Sequence, residues 1–245
     1  MKTLTSCLLV ISIIFCSCKK NHDPVINVPL ISRTINSFPN DPERDTSLFN
    51  YDNQGRNTDI TTNTQHTVME YNGSTVTSKT YYVDNVLEYV ETYTLNVQNL
   101  AVSYACTDAS GSNYSLAGMG DHEKYFYNDQ GQRTKTISYN GLQVDTTLDF
   151  YENNNLTMVV LHVHNPGTPQ DTSNYEYYTD QLNTIGQQNY GITFLGSSSK
   201  NLMKIMTDQM GTYKMAYEFD SQNRVTKQTI SENGVNTAYI EYQYK

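Results

Sequence analysis

The chain has 245 residues, of which 37% are hydrophobic, 21 are Tyr and none is Trp. This composition suits one all-β domain with a core of Tyr, Val, Ile and Leu, and the absence of sustained helical periodicity excludes a helical bundle. The formal net charge is −9, from 25 acidic against 16 basic residues, and no run of Lys or Arg occurs. A phosphate backbone would be repelled, so nucleic acid is excluded as an expected partner.

Residues 1–17 are typical of a bacterial lipoprotein signal peptide. Lys2 gives a positive start, residues 7–15 are apolar, and the small Ser17 precedes Cys18. The alternative, an uncleaved transmembrane helix, is disfavoured because such a span needs roughly 20 apolar residues. We therefore predict that Cys18 is lipidated and that palmitate is among the attached acyl chains. Residues 18–28 would form the lipid anchor and tether, which holds the protein on the outer membrane, facing the periplasm or the surface.

Removal of the signal peptide leaves few cysteines. With Cys18 acylated, Cys106 is the one remaining thiol, so no intramolecular disulfide is expected. A catalytic role for Cys106 is the alternative to simple packing. Because residues 101–106 read as a strand, where a small buried thiol is ordinary, we expect packing.

Residues 29–245 read as a single all-β domain of short strands. Turn pairs such as Asn72-Gly73 and Asn140-Gly141 separate them, and every connection is short, so neighbours should pair antiparallel. We predict an antiparallel up-and-down meander of about fourteen strands curled into a barrel or half-barrel, with two packed sheets as the alternative. Residues 180–195 break the period and are expected to hold a short helix. The strand-like segments are 30–38, 46–51, 56–62, 66–71, 74–83, 86–97, 100–107, 125–127, 133–139, 142–151, 156–164, 172–178, 200–208, 212–219, 224–231 and 236–244.

One sequence pattern, which we call the hairpin phrase, occurs three times, in residues 48–56, 125–133 and 216–227. Aromatic residues at alternate positions run into Asp or Asn, two polar residues and Gly or Asn, and then Arg. The pattern predicts a hairpin with a type I turn closed by a left-handed residue. It directs folding and contains no catalytic group.

The lipoprotein signal, this hairpin phrase and residues 189–202 together resemble a family of Bacteroidota lipoproteins catalogued as a domain of unknown function with a porin-like fold. Met203 stands where members of that family often carry Pro. The resemblance implies a β-barrel-like shape on a lipid anchor and no known catalytic residues. The hairpin phrase alone is also similar, more weakly, to the Tyr-Asp repeats of large toxin-shell proteins.

The predicted strands do not suit a barrel that faces lipid. In residues 86–97 one face includes Glu91 and the other includes Glu88, Thr92 and Asn96, whereas a lipid-facing strand needs one apolar face. The barrel is therefore expected to be water-soluble and to contact the membrane through its N-terminal lipid anchor.

Aromatic residues concentrate on the late strands. Tyr213, Tyr217 and Phe219 share one face, and the last strand carries Tyr239 with Tyr242 on its alternate face. We predict that they form an aromatic surface that contacts a glycan, peptide or lipid ligand. The alternative is that these rings only fill the core, because Tyr is a good strand former.

Histidines supply the only candidate metal ligands that we single out. His162 and His164 share one face of a strand, a spacing that can hold zinc if a third ligand such as His122 joins them. Because the sequence fixes no third ligand, we expect neither a metal nor any other cofactor.

Three classes of function remain. The favoured one is a non-catalytic binding or interaction module on the cell envelope. The second is a structural or accessory envelope protein without a small ligand, which a filled interior would favour. The third is an enzyme, in particular a hydrolase, for which the histidines would have to converge in a cleft. The sequence does not indicate an oligomeric state.

Overall fold

The computed structural model describes residues 28–39, 41–114, 121–163 and 170–245. Cys18, the signal peptide and nearly all of the tether lie outside the described residues. The described part folds into sixteen strands and two short 3₁₀ turns, Gln187–Tyr190 and Thr193–Leu195. The strands are β1 Ile31–Ser37, β2 Arg44–Tyr51, β3 Asn57–Thr61, β4 Gln65–Asn72, β5 Thr75–Tyr82, β6 Leu87–Leu95, β7 Ala101–Asp108, β8 His122–Tyr127, β9 Arg133–Asn140, β10 Gln143–Glu152, β11 Asn155–His162, β12 Asp171–Leu182, β13 Asn201–Thr207, β14 Thr212–Phe219, β15 Val225–Glu232 and β16 Val235–Tyr244.

These strands form one closed antiparallel barrel in which each strand pairs with its neighbour in sequence. The ring closes between the first strand and the last, with Thr34 opposite Tyr242 and Asn36 opposite Ile240. The predicted antiparallel barrel is confirmed, and the alternative of two packed sheets is wrong. The strand count is sixteen, two more than the expected number of about fourteen.

Side chains alternate between the barrel interior and the outer face. On β8, Glu123 and Tyr125 are buried, whereas Lys124 and Phe126 on the same strand are exposed. Antiparallel register carries each face onto the next strand, since Tyr125 is opposite Thr136 and Lys124 is opposite Ile137. The inner face is therefore rich in Tyr.

Residues 183–200, which we call the plug, lie across one mouth of the barrel. The plug hydrogen-bonds at separate points around the circumference: Asn57 N–H donates to Gly191 O, Ser197 N–H to Gly131 O, and Asn189 Nδ2 to Pro29 O. A barrel of sixteen strands is too wide for its own side chains to fill. The plug supplies part of the missing interior. Its two 3₁₀ turns are the form taken by the short helix predicted in residues 180–195.

Two apolar clusters line the interior, and the plug contacts both. Phe194 of the plug packs with Val76, Tyr93, Ala101, Tyr104, Cys106 and Tyr125 in the first cluster. Ile185 and Tyr190 of the plug pack against the second cluster, formed by Ile31, Leu202, Val225 and Tyr242. Cys106 is buried in the first cluster, as its strand context predicted.

The outer face carries ion pairs between neighbouring strands. Lys79 Nζ lies 3.0 Å from Glu70 Oε1, and Lys227 Nζ lies 3.3 Å from Glu218 Oε1. His66 and Asp59 form a further pair on β4 and β3. Among the described residues, no helix has the length and apolar character needed to cross a membrane.

Candidate functional site

The recurring hairpin phrase forms a five-residue turn at the plugged mouth. In the first copy Asp52 N–H donates to Arg56 O, and Gly55, at φ 76°, donates its N–H to Asp52 O. The Asp52 carboxylate accepts the backbone N–H groups of Gln54 and Arg56, and Arg56 Nε lies 2.8 Å from Asp52 Oδ2. The carboxylate thus fixes both the turn and the arginine that follows it.

The third copy repeats this arrangement around Asp220. Arg224 Nε donates to Asp220 Oδ2 at 2.7 Å, and Asn223, at φ 59°, replaces the glycine. The backbone N–H of Arg224, together with its guanidinium, holds the pKa of Asp220 below its usual value. Arg224 also covers the ring of Tyr244 at 4.6 Å. Both arginines are therefore rim residues with a structural role.

The second copy differs in the position of its arginine. Asn128 replaces the aspartate and Gln132 takes the arginine position, and these two side chains hydrogen-bond to each other at 2.9 Å. The arginine moves one residue along the chain, to Arg133. Because side chains alternate, this shift turns the cation from the rim into the barrel.

The equivalent positions after the other turns show how unusual this inward arginine is. Asn57 and Val225 follow the turns of the first and third copies, and both are fully buried. A fourth turn of the same form begins at Asn96, which sequence inspection missed, and it is followed by Ala101, again fully buried. Arg133 alone among these positions is charged, and its side chain keeps 39% exposure.

Arg133 is held by a buried carboxylate. Its Nε donates to Asp149 Oδ2 at 3.2 Å, and the Asp149 side chain is 3% exposed. Burial raises the pKa of Asp149, although the neighbouring guanidinium acts in the opposite direction. Because Nε makes this hydrogen bond, the end-on edge of the guanidinium, formed by its two terminal nitrogens, is not used by the bond to Asp149.

The Arg133–Asp149 pair lines a cavity of about 260 Å³ between the plug and strands β9 to β13, which we call the plug pocket. Tyr151 and Tyr177 contribute aromatic walls, and most of the remaining lining is polar. The other lining residues are Leu156, Asn183, Gln187, Leu195, Ser197, Ser198, Ser199, Asn201 and Met203. A concave site that combines aromatic walls with a few placed polar groups is a common form of small-molecule site.

Plug side chains hold the pocket wall in place. Ser199 Oγ donates to Tyr177 Oη at 3.0 Å and accepts the backbone N–H of Leu156 at 3.0 Å. Ser198 Oγ accepts the backbone N–H of Gln187 at 2.8 Å. The wall of the pocket is therefore built jointly by the plug and the barrel.

Three tyrosines lie around the Arg133–Asp149 pair: Tyr151 and Tyr177 line the pocket, and Tyr127 is opposite Arg133 on β8. Burial raises the pKa of Tyr127 to about 12 and that of Tyr151 to about 12, and burial also raises the pKa of Tyr177. All three phenols therefore keep their protons at neutral pH and can donate hydrogen bonds. The hydroxyl of Tyr127 is buried and has no partner within the described ranges.

The aromatic residues that the sequence singled out do not all share one surface. Tyr217 and Tyr242 lie inside the barrel at the second cluster, where Tyr217 Oη donates to Met203 O at 2.8 Å and Tyr242 Oη donates to Gln228 Oε1 at 2.8 Å. Phe219 is near Tyr217 but partly exposed. Tyr213 lies on the same strand face toward the opposite end of β14.

Tyr239 faces outward instead. Its ring is covered by Lys227 Nζ at 5.3 Å, and the residue is opposite Thr229 on β15. None of these five aromatic residues lines the plug pocket. Their proposed role in binding stays a prediction.

The histidines lie apart. His122 is at the start of β8 and His162 at the end of β11, with two strands between them. His162 Nδ1 is 2.9 Å from Gln170 Nε2, and His122 Nδ1 is 3.3 Å from Asp121 Oδ1. His164 lies outside the described residues, and within the described ranges no three His, Cys, Asp or Glu side chains are grouped closely enough to hold a metal ion.

Sequence reasoning missed the residues that form the pocket. Arg133 and Asp149 are distant in sequence and are brought together because β9 and β10 are neighbouring strands. One signal was available, since the second hairpin copy places Gln132 where the other copies have arginine. A departure from an internal repeat is where function can override a folding rule.

A second polar group is buried deeper in the barrel. Tyr93 Oη donates to Glu91 Oε1 at 3.2 Å, and Glu123 accepts from Tyr125 Oη at 2.6 Å and from Ser138 Oγ at 2.9 Å. Burial raises the pKa of Glu91. These acids are hydrogen-bonded to the barrel wall and do not line the plug pocket.

A closed barrel with a polar pocket at a plugged mouth places the protein, by shape, among porin-like barrels. A solved porin-like protein from Bacteroides uniformis ATCC 8492 matches with a TM-score of 0.64 and 14% sequence identity, over 88% of this chain and 98% of that chain. A porin-like protein from Bacteroides vulgatus ATCC 8482 matches with a TM-score of 0.57 and 10% identity, over 88% of this chain and 99% of that one. At these identities the likeness shows the fold alone. Neither the scan against protein-family models nor the search of curated proteins finds a match.

Proposed function

We propose that this protein is a lipid-anchored, non-catalytic binding module of the cell envelope that captures a small hydroxylated ligand in the plug pocket. The observation that carries the proposal is the inward Arg133, held by the buried Asp149 in a cavity of about 260 Å³. Aromatic walls with amide, hydroxyl and charged groups suit a sugar ring, whose faces are apolar and whose edge is polar.

The outer face supports a barrel surrounded by water and tied to the membrane by its N-terminus. Rows of charge cross the strands there, as in Glu218, Lys227 and Glu241, which are opposite one another on β14, β15 and β16. A bilayer would have to desolvate these charges. The chain enters the barrel at the plugged mouth, since Asn189 Nδ2 contacts Pro29 O, so a tether from Cys18 would arrive beside the plug.

Binding can be tested with a substitution that fills the pocket. Met203 lines the pocket, and only its backbone carbonyl is used by Tyr217, so Met203→Trp should occupy the cavity and leave that hydrogen bond intact. The matched control is Met210→Trp, in an exposed turn. Both are screened against an array of neutral and acidic glycans. We expect the wild type and Met210→Trp to retain the same glycans and Met203→Trp to lose them. Equal retention by all three proteins, or by none, would refute the proposal.

A structural or accessory role is the second candidate, and the two filled interior clusters favour it. It predicts that no glycan is retained while stability depends on the plug. The array experiment separates the two roles, because a structural protein gives no pocket-dependent signal.

A further inference from the structure

We propose that the plug pocket selects an acidic sugar, that is, a hydroxylated ring that carries a carboxylate, and that Arg133 is the residue that determines this specificity. The inference rests on the proposed function and names its ligand class. It is carried by the geometry of the Arg133–Asp149 pair and by the balance of donors and acceptors in the pocket.

The guanidinium lines the cavity, and its end-on edge is free of the hydrogen bond to Asp149. Asp149 contacts Nε from behind and is itself 3% exposed, whereas Arg133 keeps 39% exposure. The two terminal nitrogens form the planar fork that matches a carboxylate with two parallel hydrogen bonds. Asp149 therefore orients the arginine, and the accessible group is the cation.

The remaining polar groups add donors. Burial keeps the hydroxyl of Tyr151 protonated at neutral pH, with a pKa of about 12. Tyr177 Oη already accepts a hydrogen bond from Ser199, so its own proton is available to a ligand. A pocket so rich in donors fits a ligand rich in acceptors, as a carboxylate and ring hydroxyls are.

Arg133 is also the only cation among the pocket residues, in a chain whose formal net charge is −9. Long-range steering does not favour an anion here, so recognition must come from short-range contacts. The second hairpin copy gives up the rim ion pair that stabilises the other two copies and places its arginine in the pocket.

The experiment compares ligands that differ by one group. Calorimetric titration of wild-type protein uses glucuronate, glucose, acetate and inorganic phosphate, and repeats glucuronate as the end unit of a disaccharide to separate a free sugar acid from a glycan terminus. We expect glucuronate, free or linked, to bind at least about tenfold more tightly than glucose, because one charge-assisted bidentate pair is worth that factor or more. Acetate and phosphate should bind weakly, since neither uses the aromatic walls.

Three variants assign the effect to Arg133. Arg133→Gln should abolish the preference for glucuronate. Arg133→Lys keeps a positive charge beside Asp149 and should weaken glucuronate binding, because an ammonium group cannot form two parallel hydrogen bonds with a carboxylate. This variant replaces Arg133→Gln in the test if Arg133→Gln does not fold. Asp149→Asn keeps an oxygen that can accept the Arg133 Nε–H and removes a negative charge near the ligand, so it should tighten glucuronate binding. Arg224→Gln, at the rim, is the matched control and should bind as the wild type does.

The outcomes distinguish a failure of the acidic-sugar inference from a failure of the proposed function. Glucose binding as tightly as glucuronate overturns the acidic-sugar inference and leaves a binding module for neutral sugars. Phosphate binding as tightly as glucuronate also overturns it, because the site is then an unspecific anion site. Failure of every sugar, here and on the array, overturns the proposed function itself.

Discussion

The plug is predicted to depend on Phe194. This side chain is buried, and its ring centroid lies 5.0 Å from that of Tyr93 and 6.3 Å from that of Tyr71. It is the one buried plug side chain in the first apolar cluster, so Phe194→Ala removes the main apolar contact between the plug and that wall of the barrel.

The expected cost follows from burial and cavity formation. Truncation of a buried Phe to Ala typically costs 3–5 kcal/mol, and the aromatic pairs with Tyr93 and Tyr71 are part of that loss. The plug lies at a mouth and can relax, so we take the low end, about 3 kcal/mol. For a domain of this size each kcal/mol lowers Tm by about 2–4 °C, which gives a decrease of about 6–12 °C.

Thermal melts followed by circular dichroism test this value. Phe150→Ala is the matched control, because Phe150 is 43% exposed on the outer face, and its loss should change stability by about 0.5 kcal/mol or less. Hydrogen exchange should show increased exchange within residues 183–200 in Phe194→Ala. If the two variants melt together, and exchange in the plug is unchanged, the plug is not anchored by Phe194 and our account of the filled mouth is wrong.

Three further predictions concern the plug, the tyrosines and the anchor. In Gly191→Ala, the new Cβ would lie 2.6 Å from the backbone of the first hairpin turn, and Gly191 itself has a φ of +67°. Urea titration should show that the free energy of unfolding decreases by about 3 kcal/mol. The control Gly141→Ala, whose Cβ would meet open space, should lose about 1 kcal/mol. Burial raises the pKa of Tyr71 and Tyr190 from 10.0 to about 12. The folded state therefore holds these protons more tightly than the unfolded state, so stability is full below about pH 10 and decreases as the pH rises toward 12. In an alkaline titration, phenolate absorbance from these rings should appear together with loss of the β-sheet signal; ionisation without unfolding would contradict it. Cys18→Ser should lose fatty-acid labelling, and labelling equal to the wild type would refute lipidation.

Most of the fold could be predicted because its information is local. Each strand is bounded by turn residues with a known conformational preference, such as Gly55 and Gly131, which adopt φ 76° and 72° in their turns. When every connection is short, sequential strands have little choice but to pair in order. Local rules therefore predicted the meander, and the number of strands in it allowed the sheet to close into a barrel.

The position of the plug could not be derived from the same rules. Residues 183–200 have no strand period, and the sequence alone indicated only a short helix there. Their function in the fold depends on contacts far away in sequence, such as Asn189 with Pro29 and Val225 N–H with Thr184 Oγ1. Gly191 and Gly196 are required because barrel backbone approaches each within 3 Å of where a Cβ would lie. Those distances exist only once the barrel has closed.

The aromatic pattern was informative about burial and not about binding. Alternation correctly separated the faces of β14, but a strand cannot reveal whether its inner face meets packed side chains or a cavity. Tyr217 and Tyr242 meet the second cluster, whereas Tyr151 and Tyr177 meet the plug pocket. All four are inward tyrosines, and what distinguishes them is the part of the plug that lies opposite.

The three hairpin copies therefore act as an internal control for function. In the first and third copies an arginine pairs with its own turn aspartate at the rim, where an ion pair in contact with water contributes little to stability. In the second copy the arginine, 39% exposed, pairs with Asp149, which is 3% exposed, and desolvation of that carboxylate leaves the stability gain of the pair small or absent. Turn geometry is the same in all copies, so folding does not require the change. An arginine that lines a pocket and is held by a carboxylate that is costly to bury agrees with the ligand-binding role that we propose.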